Sequence, residues 1–257
     1  MEKGRGEETD LWKERYSRQI PLIGVDGQKK LQRSRVLIAG VGGLGCVLAL
    51  YTVAAGFGKV ILVDNGVVEL SNLNRQVLYS TNDIGKSKVE VAKSKLEDLN
   101  PNVEVIAVKE TINEKNAEDL VREADIVLDG LDNWKGRFAL NDAIVKLGKP
   151  FVHAGVRGWM GQLLVVLPGR GPCLRCVFPA PPRDEGRVEV IGVTPATLAL
   201  MEVAEAIKLA SSCCPPSIGR VFYVDLQRLE VESIEVHKRE GCSCNRDLDP
   251  KPYRSRA

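Results

Sequence analysis

RVLIAGVGGLG, residues 35–45, is an aliphatic and β-branched run that enters a glycine-rich turn and leaves it as the start of a helix. Gly40, Gly42 and Gly45 form G-x-G-x-x-G, with Gly43 as an additional glycine inside it. Glycines here permit a sharp turn, let the backbone approach a phosphate and let the helix pack closely, while free N–H groups at the helix start attract an anion. An acid about twenty residues on should end the next strand and hold a ribose. Asp64, in ILVDN at residues 61–65, stands in that place. The turn alone suits NAD or ATP equally, and an empty glycine turn with Asp64 capping a loop would read the same way.

The segment from Val36 to Gly58 carries no charge and is long enough to cross a bilayer if helical throughout. Its glycines argue otherwise: Gly40 to Gly45 follow a strand-like run, and Gly56 and Gly58 close the next segment, giving strand, turn, helix, turn. Further strands are expected at Val60–Val63, Val103–Val108, Ile126–Asp129 and Pro150–His153, alternating with helices at Leu44–Ala55, Lys86–Leu99, Glu114–Arg122 and Asn133–Leu147. Such alternation implies a parallel sheet with right-handed crossovers. Beyond Gly158 the pattern becomes a strand at Gly161–Leu167, a helix at Thr194–Ala210 and a hairpin-like pair at Val221–Leu226 and Leu229–His237.

The expected fold is therefore α/β: a Rossmann-like, doubly wound, mainly parallel sheet with an N-terminal helical arm and a C-terminal antiparallel extension. One continuous domain is expected, divided into an arm (residues 1–34), a nucleotide-binding region (35–157) and an extension (158–257) that holds a long crossing loop from Val177 to Gly192.

Composition narrows the function. With 44% hydrophobic and 27% charged residues the chain is globular, and a net charge of +2 leaves no basic stripe for a nucleic-acid backbone. The start MEKGRGEETD has no apolar core of a signal peptide, so a cytoplasmic protein with no membrane association is expected. Six of the seven cysteines lie in the C-terminal third, a clustering that points to metal rather than to a disulfide scaffold.

Past the ribose acid, Asn72, Arg75 and Gln76 in NLNRQ and Lys88 in GKSKVE place two cations and two amides where they could grip a triphosphate, although single surface charges of this kind are common. LDGLDN then presents Asp129 and Asp132 at a strand's carboxyl end, where open α/β sheets keep their ligands. Asp129 reads best as a strand-end cap and Asp132 as the carboxylate for magnesium. Cys173 and Cys176 form a C-x-x-C knuckle, and Cys242 and Cys244 a C-x-C pair; four thiolates would close around a structural zinc and pin the tail to the crossing loop. Asn245 stands where a longer spacing would put the fourth cysteine, so Cys213 and Cys214 remain substitutes for that ligand.

RYSRQI, GVGGLG, LVDNGVVELSNLNRQ, GKSKVE and LDGLDN together, over residues 15 to 245, resemble the MoeB/ThiF/HesA family of adenylyltransferases, relatives of the ubiquitin-activating enzymes. The resemblance implies ATP-dependent activation of the C-terminal glycine carboxylate of a small ubiquitin-like or sulfur-carrier protein ending in Gly-Gly. The product is an acyl adenylate, with pyrophosphate released. It also implies a homodimer and assigns roles by matching position. Gly40, Gly42, Gly43 and Gly45 would approach the nucleotide and Asp64 would bind the ribose. Arg75 and Lys88 would hold phosphates, Asn72 and Gln76 would assist, Asp132 would hold magnesium, and Arg18 would reach in from the second subunit. Arg157 and Gln162 match a region lining the channel for the carrier's tail.

An incoming carboxylate is already ionised, so the work is charge neutralisation and in-line alignment without a general base. That suits a chain whose only histidines are His153 and His237. Family members that transfer the activated carrier to an enzyme thiol carry a cysteine in the crossing loop, and Val177 to Gly192 contains none. Adenylation alone, in the manner of MoeB, is the resulting expectation. Two other readings share part of the pattern: an NAD-dependent dehydrogenase with structural zinc, and a non-catalytic binder of a ubiquitin-like protein.

Overall fold

A computed structural model describes residues 11–180, 182 and 188–245. The first ten residues of the arm, most of the middle of the crossing loop and the tail after Asn245 lie outside the described residues. The chain builds one eight-stranded sheet in the order β3-β2-β1-β4-β5-β6-β7-β8. Its strands are β1 (Arg35–Ala39), β2 (Lys59–Val63), β3 (Glu104–Val108), β4 (Ile126–Asp129), β5 (Phe151–Arg157), β6 (Met160–Val166), β7 (Arg220–Asp225) and β8 (Glu230–Glu235). β3 to β5 in that order pair parallel, and β5 to β8 pair antiparallel.

The central strand reads as a continuous apolar run because both faces are covered: Val36, Leu37, Ile38 and Ala39 are fully buried. Val36 and Ile38 face one core layer with Leu48, Val53 and Leu198; Leu37 and Ala39 face the other with Leu140 and Ile144. The covering helices are α1 (Ile20–Arg33), α2 (Gly43–Ala55), α3 (Lys88–Leu99), α4 (Ala117–Arg122), α5 (Trp134–Leu147), the single turn α6 (Leu174–Val177) and α7 (Val193–Ser211). The uncharged segment thus divides into β1, α2 and the glycine corner before β2, and no helix among the described residues is long and apolar enough to cross a membrane.

Element boundaries move where side chains outcompete the helix. α4 starts at Ala117 rather than Glu114, because Asn116 Oδ1 accepts the N–H of Asn113 at 2.8 Å and Asn113 Oδ1 accepts that of Lys115 at 2.9 Å. α3 starts at Lys88 rather than Lys86, because Lys86 O and Ser87 pair with the loop at Val68 and Val67. β5 runs on past His153 to Arg157, since β6 pairs with it as far as Arg157 opposite Met160 around a turn at Gly158, φ +58°. This extension carries Gly155 and Arg157 toward the carboxyl edge of the parallel strands.

Strand order reverses between β1 and β4, so the chain leaves these neighbours in opposite directions and a crevice opens beyond their carboxyl ends. The arm sits at the other edge. Tyr16 is buried against Gly56, Asn100 Nδ2 donates to its hydroxyl at 2.9 Å, and Gln19 Nε2 donates to Ala55 O at 2.8 Å.

Candidate active site and cysteine cluster

The glycine turn is held from several sides. The Tyr79 hydroxyl donates to Val41 O at 2.9 Å, Asp64 Oδ2 accepts Val41 N–H at 2.8 Å, and Gly130 N–H donates to Ala39 O at 2.7 Å. Gly40 has φ +84°, and a Cβ there would lie 2.7 Å from Gly130 O. A Cβ on Gly45 would fall inside the Gly40 carbonyl, so this glycine serves the close seating of α2 on the turn. The other oxygen of Asp64 accepts Gly66 N–H at 2.7 Å. Two backbone donors therefore fix the carboxylate beside the start of α2.

A cavity of about 830 Å³ opens at this edge, within the range for a small-molecule site. Of the residues expected in the site, it is lined by Gly40, Gly42, Gly43, Asp64, Arg75, Gln76, Lys88 and Asp132. Lys88 begins α3 and reaches over Gly66, whose Cβ would lie 3.4 Å from its Nζ. Arg75 lies over Gly43 and donates through Nη1 to Ser71 O at 2.9 Å and Asn74 Oδ1 at 3.0 Å. Gln76 is buried near Gly42, and its Oε1 has no hydrogen-bond partner among the described residues. An unmatched acceptor, two cations and a glycine turn form a donor and acceptor set that suits a nucleoside triphosphate. Asp132 is exposed on the rim, and Asn133 Nδ2 lies 3.4 Å from its Oδ1.

Three expected residues are not brought to the cavity. Gly45 lies beneath the turn, where its place is taken up by the contact with the Gly40 carbonyl, so it seats α2 rather than lining the cavity. Asn72 is buried beneath its own loop, where its Oδ1 accepts Glu69 N–H at 3.1 Å as part of a capping box; that contact holds the loop and turns the amide away from a phosphate. Arg18 is exposed on the arm at the opposite edge of the sheet, so no arginine at this position enters the cavity of its own chain. Arg157 and Gln162 both line the cavity, at the end facing β6 and β7.

Cys173, Cys176, Cys242 and Cys244 converge with all four Sγ atoms within 4.8 Å of one another. Neighbouring pairs are 4.0 Å (Cys173–Cys176), 3.6 Å (Cys173–Cys242), 3.4 Å (Cys176–Cys244) and 3.5 Å (Cys242–Cys244) apart. A Zn–S length of about 2.3 Å gives tetrahedral edges of about 3.8 Å, so the set fits a closed four-thiolate zinc site. The C-x-C spacing suffices because the turn Ser243–Asn245 directs Cys244 inward. Cys213 and Cys214 are exposed, 3.3 Å from each other, and stand outside the cluster. A second, shallower cavity of about 440 Å³ lies near Gly171 and His237, and its cations are engaged: Arg220 with Ser233 and Lys238 with Gly169 O.

The ThiF family profile matches residues 16–245. The chain belongs to the ThiF family. Among relatives of this ThiF-family chain, "Protein HesA, heterocyst" of Trichormus variabilis is 38% identical over 238 residues, spanning 91% of this chain and 89% of that protein. The "Sulfur carrier protein adenylyltransferase" of Thermus thermophilus is 39% identical over 242 residues, 89% of each. A crystal structure of E. coli MccB with ATP superposes with a TM-score of 0.81 at 26% identity, covering 90% of this chain and 73% of that one. These relatives bear out the expected enzyme class, an adenylyltransferase.

The ThiF-family chain also has site residues that sequence reasoning missed. Asp129 does cap its strand end, with Oδ1 accepting Leu131 N–H at 3.0 Å, but it is fully buried and its other oxygen meets two more groups. His153 Nδ1 lies 2.6 Å from Asp129 Oδ2, and Arg137 Nε 3.1 Å from it. Arg137 Nη2 donates to Leu131 O at 2.6 Å and Ala154 O at 3.1 Å. Leu131 is thereby held at both its N–H and its carbonyl, which fixes the backbone that carries Asp132. From α7, Glu202 Oε2 accepts Asp129 N–H at 3.1 Å. Burial, and then the Asp129 charge, holds the Glu202 carboxyl well above its ordinary range, which favours its neutral form. Burial pushes His153 below its ordinary value against the opposing pull of Asp129. Of this cluster the sequence showed Asp129 at its strand end, and nothing local to Arg137, His153 or Glu202 marked them as its partners.

Proposed function

We propose that this chain adenylylates the C-terminal glycine carboxylate of a small ubiquitin-like or sulfur-carrier protein ending in Gly-Gly. The carboxylate attacks the α-phosphate of ATP, the bond from that phosphorus to the bridging oxygen breaks, and pyrophosphate leaves. The observation that carries this reading is the cavity itself: phosphate-binding chemistry at the glycine turn is continuous with an open channel between Gly155, Arg157 and Gln162. A nucleotide and an extended peptide end can meet there.

In this reading Asp64, oriented by Val41 and Gly66, receives the ribose hydroxyls, and Gln76 offers its unmatched oxygen to a sugar or water donor. Arg75 and Lys88 neutralise phosphate charge and align the leaving group. Asp132, with the substrate phosphates, would hold Mg2+, which would add charge neutralisation when bound; one exposed carboxylate suits an ion that keeps most of its water and phosphate ligands. Asp129 and Arg137 position that loop, and no side chain has to remove a proton from an ionised carboxylate. The four-cysteine cluster would hold structural Zn2+ and tie the segment after β8 to α6. Arg18 can reach a phosphate only from a second copy, so the reading includes a homodimer in which the arms exchange. With no cysteine between Val177 and Gly192, the reaction ends at the adenylate, without transfer to a thiol on that loop. The setting proposed is the cytoplasm.

ATP–pyrophosphate exchange tests this. Label should enter ATP only when a carrier ending in Gly-Gly is present, and Asp132→Ala should abolish the exchange while leaving thermal unfolding unchanged. Exchange without carrier dependence, or an unaltered rate in the Asp132 variant, would overturn the reading.

A further inference from the structure

His153 and Gln162 face the same side of the β5–β6 hairpin, and Gly155 stands directly across from Gln162. A Cβ on Gly155 would lie 3.3 Å from Gln162 Nε2 and 3.4 Å from its Cγ, so the glycine lets the glutamine side chain fold back over β5 toward the imidazole. Gln162 Nε2 lies 3.4 Å from His153 Nε2. The other ring nitrogen faces Asp129 Oδ2 at 2.6 Å.

Chemistry orders these contacts. A carboxylate oxygen offers only lone pairs, so the proton of a neutral His153 sits on Nδ1. Nε2 then carries a lone pair and calls for a donor, which the amide NH2 of Gln162 supplies. A second ring proton on Nε2 would meet that NH2 donor to donor. It would also add a cation to a centre where the Asp129 charge from β4 already faces Arg137 from α5, and where Glu202 from α7 is neutral. The ring is fully buried, with Trp134 and Phe151 at centroid distances of 5.9 and 6.3 Å, so water does not take over either contact. With NH2 turned inward, Gln162 Oε1 is the amide's remaining group, and it has no hydrogen-bond partner among the described residues.

We propose that His153 is a positioning residue that locks the Gln162 amide with its oxygen toward the channel, where it accepts a backbone N–H from the extended C-terminal tail of the substrate. This deepens the adenylylation reading and rests on it. An extended Gly-Gly end has no side chains to recognise, so main-chain acceptors of this kind are a way to hold it in register.

The test combines spectroscopy and kinetics. The chain has two histidines, so long-range 15N–1H correlation of the whole protein resolves His153 from the exposed His237. His153 should show a protonated Nδ1 and an unprotonated Nε2, unchanged from about pH 5.5 to 8. A protonated Nε2, or titration near the ordinary value of about 6.5, would refute the lock. Gln162→Leu should raise KM for a sulfur-carrier protein ending in Gly-Gly roughly fivefold, the scale of one neutral hydrogen bond, with kcat and the KM for ATP unchanged. Gln162→Glu cannot donate to Nε2 and should draw a proton onto it, visible in the same spectrum. N-methylating the tail amides one at a time should reproduce the Leu effect at one position and add nothing in the Leu variant. Carrier-dependent exchange with an unchanged KM in Gln162→Leu defeats this inference alone. Absence of carrier-dependent exchange in the wild type defeats the adenylylation reading and this role with it.

Discussion

Replacing Glu202 by glutamine isolates a buried acid whose effect on stability has a definite sign. Glu202 is fully buried, its Oε2 accepts Asp129 N–H at 3.1 Å, and its Oε1 has no partner among the described residues. The folded protein therefore keeps a proton there, while the unfolded chain releases it above about pH 4.3. Stability changes with pH as the difference in bound protons, unfolded minus folded, and that difference is minus one in this range. Each pH unit in which the folded carboxyl stays protonated thus removes about 1.4 kcal/mol. Glutamine keeps the shape and can still accept Asp129 N–H, but it has no proton to lose. Its second amide hydrogen is left unmatched, a roughly constant cost of 1–3 kcal/mol at every pH. His153 pulls the opposite way below about pH 6.5, because the folded ring resists the proton that the unfolded ring takes; this contribution is common to both proteins and cancels in their difference. Melting temperatures measured from about pH 5 upward should show Glu202→Gln gaining on the wild type by about 3 °C per pH unit at first, and then levelling off. Parallel curves would mean that Glu202 is ionised in the fold, and the protonated acid behind Asp129 would have to be abandoned.

Gly45→Ala inserts a methyl group into the Gly40 carbonyl; overpacking of about 1–3 kcal/mol should outweigh the roughly 1 kcal/mol gained in helix propensity, and nucleotide affinity measured by calorimetry should fall because the start of α2 shifts. Normal affinity and stability would contradict the close packing. Purified protein should contain one zinc per chain by elemental analysis, and strong chelation or Cys244→Ser should lower the melting temperature while Cys213→Ser does not; equal effects would argue against the four-cysteine site. The Lys95 ammonium, 2.5 Å away, and then the Ser80 hydroxyl hold Asp83 well below the ordinary carboxylate range. The stability from this contact is present above the unfolded value near pH 4 and is lost as pH falls below it. The advantage of the wild type over Asp83→Asn should therefore shrink below pH 4, and a constant gap down to pH 2 would refute the assignment.

The sequence by itself determined what depends on neighbours along the chain. The positive φ at Gly40 calls for glycine by local geometry, Val36–Ala39 of β1 must be buried on both sides because none of these four side chains is polar, and Asp64 follows its strand by local spacing. With the alternation of strands and helices, and with the local motifs RYSRQI, NLNRQ, GKSKVE and LDGLDN, these features were enough for the α/β fold, the family resemblance and most of the expected residues that line the cavity. Asn72 falls outside the cavity lining, and its letter does not reveal that its oxygen is engaged by Glu69 N–H three residues away. Tertiary structure alone decided the rest. Asp129 and Glu202 are 73 positions apart, and Cys173 and Cys242 are 69 apart, so only the sheet order and the packing of α7 and α6 reveal that they meet. Burial does the remaining work: in a dry interior a proton's place on His153 or Glu202 is fixed by the groups around it, and no local pattern of residues encodes that environment.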